Sequence, residues 1–459
     1  MPAPSFIFRE YDIRGVADRD MPDDVATDIG RGLATMLSKE GQAPRLAVGR
    51  DCRMSSPRLD AALIAGLTAH GVHVVDIGIG PTPLLYFAVH TLGTDGGVMI
   101  TGSHNPAEDN GFKVMRGKAS FFGKDIQDLR ELIARAGYGP PRPGRVESVD
   151  VSAPYVEHMK KAFSFRAPLP FVVDAGNGSG GPLGLAALRA AGLSPDPLFC
   201  DMDGSFPNHH PDPTVPKNLD ALIRRVKETG ARVGIAYDGD ADRLGAVDGN
   251  GEIVWGDRLM ILFSRALLKD HPGAAILGEV KCSQTLYDDI AKHGGRPVMW
   301  KTGHSLIKTK MKETHALLAG EMSGHLFFAD RYFGYDDAIY GSLRLLEILS
   351  KDPRSLTEML SDVPLTFTTP ELRVDCPEAA KFGVVRGVTE HYRAAGKSVV
   401  DIDGARVSFG STEAPAWGLV RASNTGPVLV MRFEASSVLE RDTIRAEVEG
   451  VVRKFMPQA

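Results

Sequence analysis

The sequence predicts an α/β protein of several domains, and three observations carry that prediction. A short grammar recurs along the chain: an apolar run, a polar cluster containing glycine, then a segment with apolar residues at helical spacing. The apolar runs are continuous rather than alternating, as in parallel strands covered by helices on both faces. The segment after residue 365 departs from this, with strand-like runs and a closing amphipathic helix that suit an α+β unit. At 459 residues the chain exceeds what one hydrophobic core supports, and size alone implies about three or four domains.

The first unit shows the grammar clearly. Leu46-Ala-Val-Gly49 reads as a strand ending in Arg50-Asp51. Ser56 is the expected N-cap and Pro57 the first helical residue, with an apolar-periodic segment to His70 and Gly71 as the stop. Val72-His-Val-Val-Asp-Ile77 follows as the next strand, completing a βαβ unit. A second unit has a helix from Asn218 through Leu222, Ile223 and Val226 to Gly230, then the strand Arg232-Val-Gly-Ile-Ala-Tyr237. Leu244-Gly-Ala-Val247, the turn Asp248-Gly-Asn-Gly251 and Glu252-Ile-Val-Trp255 read as a hairpin. A third unit has a helix from near Ser305 through Lys312, then Ala316-Leu-Leu-Ala319. At the end, Pro427-Val-Leu-Val-Met-Arg-Phe433 reads as a strand and a helix begins near Thr443.

Composition narrows the function classes. The net charge of −5 disfavours general nucleic-acid binding, which needs a basic face. The amino end has no basic n-region followed by a long apolar stretch, so no signal peptide is expected, and no apolar run approaches the ~18 residues of a membrane span. Cys52, Cys200, Cys282 and Cys376 lie far apart with no CxxC pair, which fits a reduced, cytoplasmic compartment. Glycine is in surplus, 50 residues against a usual share of about 7%, without enough proline to imply disorder. Such a surplus belongs where backbone turns tightly or approaches a ligand.

Four polar clusters carry the chemistry. Ligands of open α/β sheets bind outside the carboxyl ends of strands, so clusters from similar units could share one cleft. Asp238, Asp240 and Asp242 alternate after a strand; they repel one another unless a hard cation such as Mg²⁺ holds them, a solvated acidic turn being the alternative. An EF-hand is excluded, because its glycine and closing glutamate would fall on Arg243 and Gly249. Ser103 lies between Gly102 and His104 in Thr101-Gly-Ser-His-Asn-Pro106; it is either an exposed nucleophile with His104 beside it or a turn. No G-x-S-x-G elbow is present, since Asn105 stands at the second glycine. Glu321, Ser323 and His325, at spacing two, suit sugar hydroxyls or form a polar surface loop. Arg421, Ser423, Asn424 and Thr425 suit a phosphate, or form a loop of the same composition without a ligand. His209 and His210 sit among Pro207, Pro211 and Pro213 without zinc spacing and are read as structural or supporting. Together the clusters describe phosphoryl transfer to and from a sugar phosphate. A two-metal phosphatase would want further His and Asp ligands, which are not apparent.

At this point the chain resembles the α-D-phosphohexomutases over essentially its whole length. The motifs are Phe8-Arg-Glu-Tyr-Asp-Ile-Arg-Gly15, Gly49-Arg-Asp-Cys-Arg53, Thr101–Pro106, Asp238–Arg243, Lys281-Cys-Ser283, Lys301-Thr-Gly-His-Ser305, Gly320-Glu-Met-Ser-Gly-His325 and Arg421-Ala-Ser-Asn-Thr425. The resemblance implies four domains around a central cleft: residues 1–148 bearing a phosphoserine, 149–252 binding metal, 253–365 binding sugar, all α/β with mixed or parallel sheets, and a C-terminal α+β phosphate-binding domain at 366–459. It implies reversible conversion of hexose 1-phosphate and 6-phosphate through a hexose 1,6-bisphosphate, with Ser103 as phosphoserine and Mg²⁺ on Ser103, Asp238, Asp240 and Asp242. His104, Arg14, Lys113, Arg243, Lys281 and His325 would serve the chemistry. Tyr11, Lys281, Gly303, His304, Glu321, Ser323, His325, Arg421, Ser423, Asn424 and Thr425 would bind substrate. Met322 resembles the mannose/glucose branch rather than the phosphoglucosamine branch, which typically carries glutamine there; that branch, and a non-catalytic sugar-phosphate binder, are the alternatives. Partners would be sugar phosphates, with neither nucleic acid nor membrane, and the sequence leaves oligomeric state open. One departure is Gly426, where close relatives usually have a second threonine.

Overall fold

Among the described residues of the computed structural model, 3–38, 42–167, 169–411, 414–424 and 426–457, the strands form four sheets in chain order. In the seven-stranded first sheet Gly96–Ile100, Arg45–Arg50, His73–Ile79 and Arg145–Ser148 run parallel, and Asp109–Arg116 and Ile13–Val16 extend it antiparallel. The second sheet places Phe171–Asp174 parallel to both Val233–Tyr237 and Asp196–Leu198. The third places Ala275–Glu279 between Arg296–Trp300 and Leu318–Gly320, all parallel, with Leu326–Phe328 antiparallel at the edge. The fourth is antiparallel, with Val428–Ala435 and Trp417–Ala422 at its centre. The first three are the expected mixed α/β units and the last the expected α+β unit.

Local chemistry explains the element ends. The helix Ser56–Thr68 has its proline in the first turn as expected, but the cap is Ser55, whose side chain makes no capping bond to the helix. The Ser56 hydroxyl instead donates to Asp51, in the loop after the preceding strand. The helix Asp220–Thr229 stops at Gly230, whose φ of +66° is left-handed and whose N–H donates to the Val226 carbonyl. The closing helix Val438–Phe455 starts earlier than the apolar pattern suggests, because the Ser437 hydroxyl accepts from the Glu440 amide. The hairpin after the aspartate loop forms, and its second strand, Ile253–Val254, carries the second sheet two residues beyond the expected boundary at 252.

One large apolar core runs through the first three units, joining Leu84–Val89, Phe171, Val173, Tyr237, Leu259–Phe263 and Leu343–Leu349. The last unit has its own core around Val388, Leu429, Phe433 and Val448. It meets the third unit at a small contact of Val280 with Trp417 and Leu419. There the buried Arg406 lies 3.9 Å from the centre of the Trp417 ring and donates to the carbonyls of Val280 (2.6 Å) and Cys282 (2.8 Å). The carboxyl ends of the parallel strands therefore face a common space.

A Cβ added at Gly230 would meet no atom within 4 Å, so only backbone strain is at stake. Gly230→Ala should cost about 1 kcal/mol, read as a lower urea midpoint at unchanged slope.

Candidate active site

The strand-end loops enclose a cleft of about 910 Å³. Tyr11, Arg14, Ser103, His104 and Lys113 line it from the first unit and Arg243 from the second. Lys281, Gly303, His304, Glu321, Ser323 and His325 line it from the third, and Arg421, Ser423 and Asn424 from the last. Asp238, Asp240 and Asp242 lie fully buried. Thr425 falls outside the described residues.

Ser103 follows the strand Gly96–Ile100 and sits at φ +49°, a left-handed conformation that a non-glycine residue adopts only when its surroundings impose it. Its amide donates to the Thr101 hydroxyl at 2.8 Å. Two glycines permit the approach of neighbouring groups: a Cβ at Gly102 would lie 2.5 Å from the Arg53 guanidinium, and one at Gly239 would lie 2.3 Å from the Ser103 carbonyl. The Ser103 hydroxyl donates to Asp238 at 2.9 Å and lies 3.2 Å from His104 Nδ1. Burial, with Arg243 nearby, holds the His104 imidazolium well below the usual histidine range.

The aspartate loop follows the strand Val233–Tyr237. Asp238 accepts from the amides of Asp242 and Arg243, both at 3.1 Å, and Ala241 takes φ +53° to make the turn. Asp240 accepts from the Thr82 hydroxyl and from Lys113 (2.7 Å), and Lys113 also donates to Asp242 (2.6 Å). Thr82 and Lys113 belong to the first sheet's unit and the aspartates to the second, so this contact joins the two. Burial pushes the Asp238 carboxyl well above its usual range, and the neighbouring Asp242 and Asp240 push it further. At Asp240 burial acts the same way, but Lys113 outweighs it and holds that carboxyl low. Lys113 thus pairs with two of the three carboxylates, and Arg243 lies near the third. The ligand oxygens of all three lie within 4.8 Å of one another, and Oδ1 of Asp240 and of Asp242, both buried, have no hydrogen-bond partner among the described residues. A set of hard, converging, partly unsatisfied oxygens fits a divalent cation.

Across the cleft, Arg243 Nε donates to His325 Nε2 at 3.0 Å. His325 Nδ1 lies 2.9 Å from Asp336, which also pairs with Lys308 at 3.1 Å. His304 stacks on His325 with ring centres 5.7 Å apart. Glu321 accepts from the Gly303 amide (3.0 Å) and from Ser323 (3.1 Å), which orders the sugar-type loop. Gly303 has φ +126°, and a Cβ there would lie 2.7 Å from the Tyr11 ring. The Tyr11 hydroxyl donates to the Thr302 carbonyl (2.9 Å) and accepts from Asn424 (2.6 Å), linking the first, third and last units; burial raises its pKa to about 12. Arg421 pairs with Asp403 at 3.1 Å, and Lys281 with Glu371 at 3.1 Å. Gly426 faces open space, with nothing within 4 Å of an added Cβ. The two adjacent histidines are structural: His209 pairs with Asp174 at 3.0 Å, and His210 bonds the His104 carbonyl at 2.5 Å.

The sequence reading missed Arg53, Thr82 and Asp336 as parts of this site. Arg53 stands in the Gly49–Arg53 motif, which was a usable signal. Thr82 and Asp336 carry none, because only the fold brings them to the aspartates and to His325. Lys113→Met should cost about 3–5 kcal/mol, since it strands two buried carboxylates. Urea unfolding measures the loss, and a divalent cation should restore part of it.

Comparison with known proteins agrees with this geometry. The chain matches the phosphoglucomutase/phosphomannomutase α/β/α domain I over residues 5–137, domain II over 153–251, domain III over 255–367 and the C-terminal domain over 371–451. It is 46% identical to a phosphomannomutase/phosphoglucomutase of Pseudomonas aeruginosa over 442 residues, 96% of this chain and 94% of the relative. It is 42% identical to a phosphoglucomutase of Neisseria meningitidis over 449 residues, 97% of this chain and 96% of that one. A crystal structure of a phosphoglucomutase/phosphomannomutase family protein from Burkholderia thailandensis superposes with a TM-score of 0.91 at 42% identity, covering 99% of each chain. With four matched domains in order and one cleft assembled from all of them, this chain belongs to the phosphoglucomutase/phosphomannomutase family, the α-D-phosphohexomutases.

Proposed function

We propose that this chain is a phosphohexomutase that interconverts hexose 1-phosphates and hexose 6-phosphates, of mannose or glucose, through a phosphoserine at Ser103 and a hexose 1,6-bisphosphate. The observation that carries this reading is the placement of the Ser103 hydroxyl at the edge of the three-aspartate site and inside a cleft with cations at both ends. The division of the chain at 148, 252 and 365 belongs to the same proposal and is supported by the four sheets, the second running on through the short strand at 253–254.

On this reading Asp238, Asp240, Asp242 and a Ser103 phosphate oxygen hold Mg²⁺. The ion supplies positive charge to the transferring phosphoryl group, where a loose transition state needs it. The residues do the rest. Lys113, Arg14 and Arg243 surround Ser103, while Arg421 with Ser423, Asn424 and Thr425 receives the distant phosphate. Glu321 and Ser323 accept and donate to sugar hydroxyls, with Tyr11, Gly303, His304 and Lys281 completing the wall. When the sugar hydroxyl attacks, the bond from phosphorus to Ser103 Oγ breaks as the new phosphate ester forms. The sugar proton passes to a base, and His325 in the cleft wall is proposed for that role, the sugar hydroxyl replacing Arg243 as the donor at its Nε2. The bisphosphate then reverses end for end and returns its other phosphate to Ser103. The cytoplasm is the proposed compartment, in keeping with four unpaired cysteines; among the described residues no helix is long and apolar enough to cross a membrane.

Intact-mass measurement of the purified protein should show one phosphoryl adduct, located at Ser103 by peptide mapping. Absence of label there after incubation with a labelled hexose 1,6-bisphosphate overturns the mechanism. Ser103→Ala and Asp240→Asn should each abolish mutase turnover in folded protein, and a near wild-type rate in either refutes its assigned role. A comparison of kcat/KM for mannose, glucose, glucosamine and N-acetylglucosamine 1-phosphates tests the sugar, with the first two expected to dominate.

A further inference from the structure

We propose that Arg53 is the positioning residue that holds Ser103 in its reactive conformation by gathering the carbonyls of the serine loop around one buried guanidinium. This inference rests on the mutase reading of Ser103 and extends it to a group that never reaches the cleft.

Arg53 is 1% exposed and enters behind the loop, from the segment after the strand Arg45–Arg50. It donates to the carbonyls of Ser103 and Asn105, both at 2.7 Å, of Asp109 at 2.8 Å, and of Pro106. The neighbouring carbonyls are held by other donors, Gly102 by Arg14 at 3.2 Å and His104 by His210 at 2.5 Å. Every carbonyl from 102 to 106 is therefore tied to a side chain. Asp51 balances the charge at 3.2 Å and also receives the Gly102 amide at 3.2 Å. The Phe206 ring, from the second unit, lies 5.1 Å from the guanidinium carbon.

Two consequences follow for the chemistry. A left-handed serine persists only where surrounding structure over-determines it, and the bond to its own carbonyl supplies that constraint. The amides of Gly102, Ser103 and Asn105 all have partners within or behind the loop, at Asp51, Thr101 and Gly102. Among the described residues the His104 amide has none, so it remains as a donor to an oxygen of a phosphoryl group on Ser103. Arginine is needed because a planar fork can serve several acceptors at once, which a lysine ammonium on a flexible stem cannot do in the same geometry.

The test is single-turnover transfer from a hexose 1,6-bisphosphate to dephosphorylated Ser103. In that step a phosphorus–sugar oxygen bond breaks, a phosphorus–Oγ bond forms, and the serine proton ends on the sugar oxygen. Arg53→Lys should keep its circular dichroism and its affinity for hexose phosphate while the transfer rate falls about 100-fold, the scale of a 1 Å misplacement. If Arg53→Lys does not fold, Phe206→Leu removes only the ring beside the guanidinium and should slow transfer severalfold with KM unchanged. A wild-type transfer rate in either folded variant, or a loss confined to substrate affinity, overturns the inference. Failure of the wild-type protein to accept the phosphoryl group would instead overturn the mutase reading itself.

Discussion

Three buried carboxylates within 4.8 Å of one another, at Asp238, Asp240 and Asp242, form the constraint on which the rest of the arrangement depends. Like charges held this close in a dry interior are tolerated only with counter-charge and hydrogen-bond donors supplied from several sides. Lys113 and Thr82 supply them from the first sheet's unit, and the Ser103 hydroxyl adds another. The same contacts that neutralise the aspartates dock the first unit on the second. Assembly of the cleft and relief of the charge are one event.

A second electrostatic layer closes the remaining sides. His325 bridges Arg243 of the second unit and Asp336 of its own, and Lys308 balances Asp336. Tyr11 reaches from the first unit to Thr302 in the third and Asn424 in the last. The last unit also adheres through a small apolar contact, through Arg406, through Arg432 to the Lys281 carbonyl and through Glu434 to the Gln284 amide, so its tie to the others is made largely by polar groups. That construction suits a site whose ligand carries charge at both ends.

Much of the site was legible because its chemistry is concentrated in short loops. Aspartates at alternate positions, a serine flanked by glycine and histidine, and a terminal Arg-Ala-Ser-Asn run each carry their meaning within a few residues; the serine and the terminal run line the cleft, and the aspartates lie buried behind the serine. Part of the glycine surplus is explained too: Gly102, Gly239 and Gly303 lie where an added Cβ would collide with Arg53, with the Ser103 carbonyl or with Tyr11. Element ends were less legible. Ser56 has the residue type of a cap yet spends its hydroxyl on Asp51, and the final helix begins where Ser437 caps it rather than where the apolar period becomes regular.

The sequence by itself determined the α/β class, the order of the units and the candidates for a reactive serine and for metal-binding aspartates, because periodicity and motif chemistry are local properties. Only the tertiary structure decided which groups support them. Arg53, Thr82 and Asp336 act on atoms far away in the chain: Arg53 on the serine loop, Thr82 on Asp240, and Asp336 on His325, the last in the same unit but on a separate loop. A buried charge is balanced by whatever the fold brings within hydrogen-bonding distance, and sequence spacing carries no record of that distance.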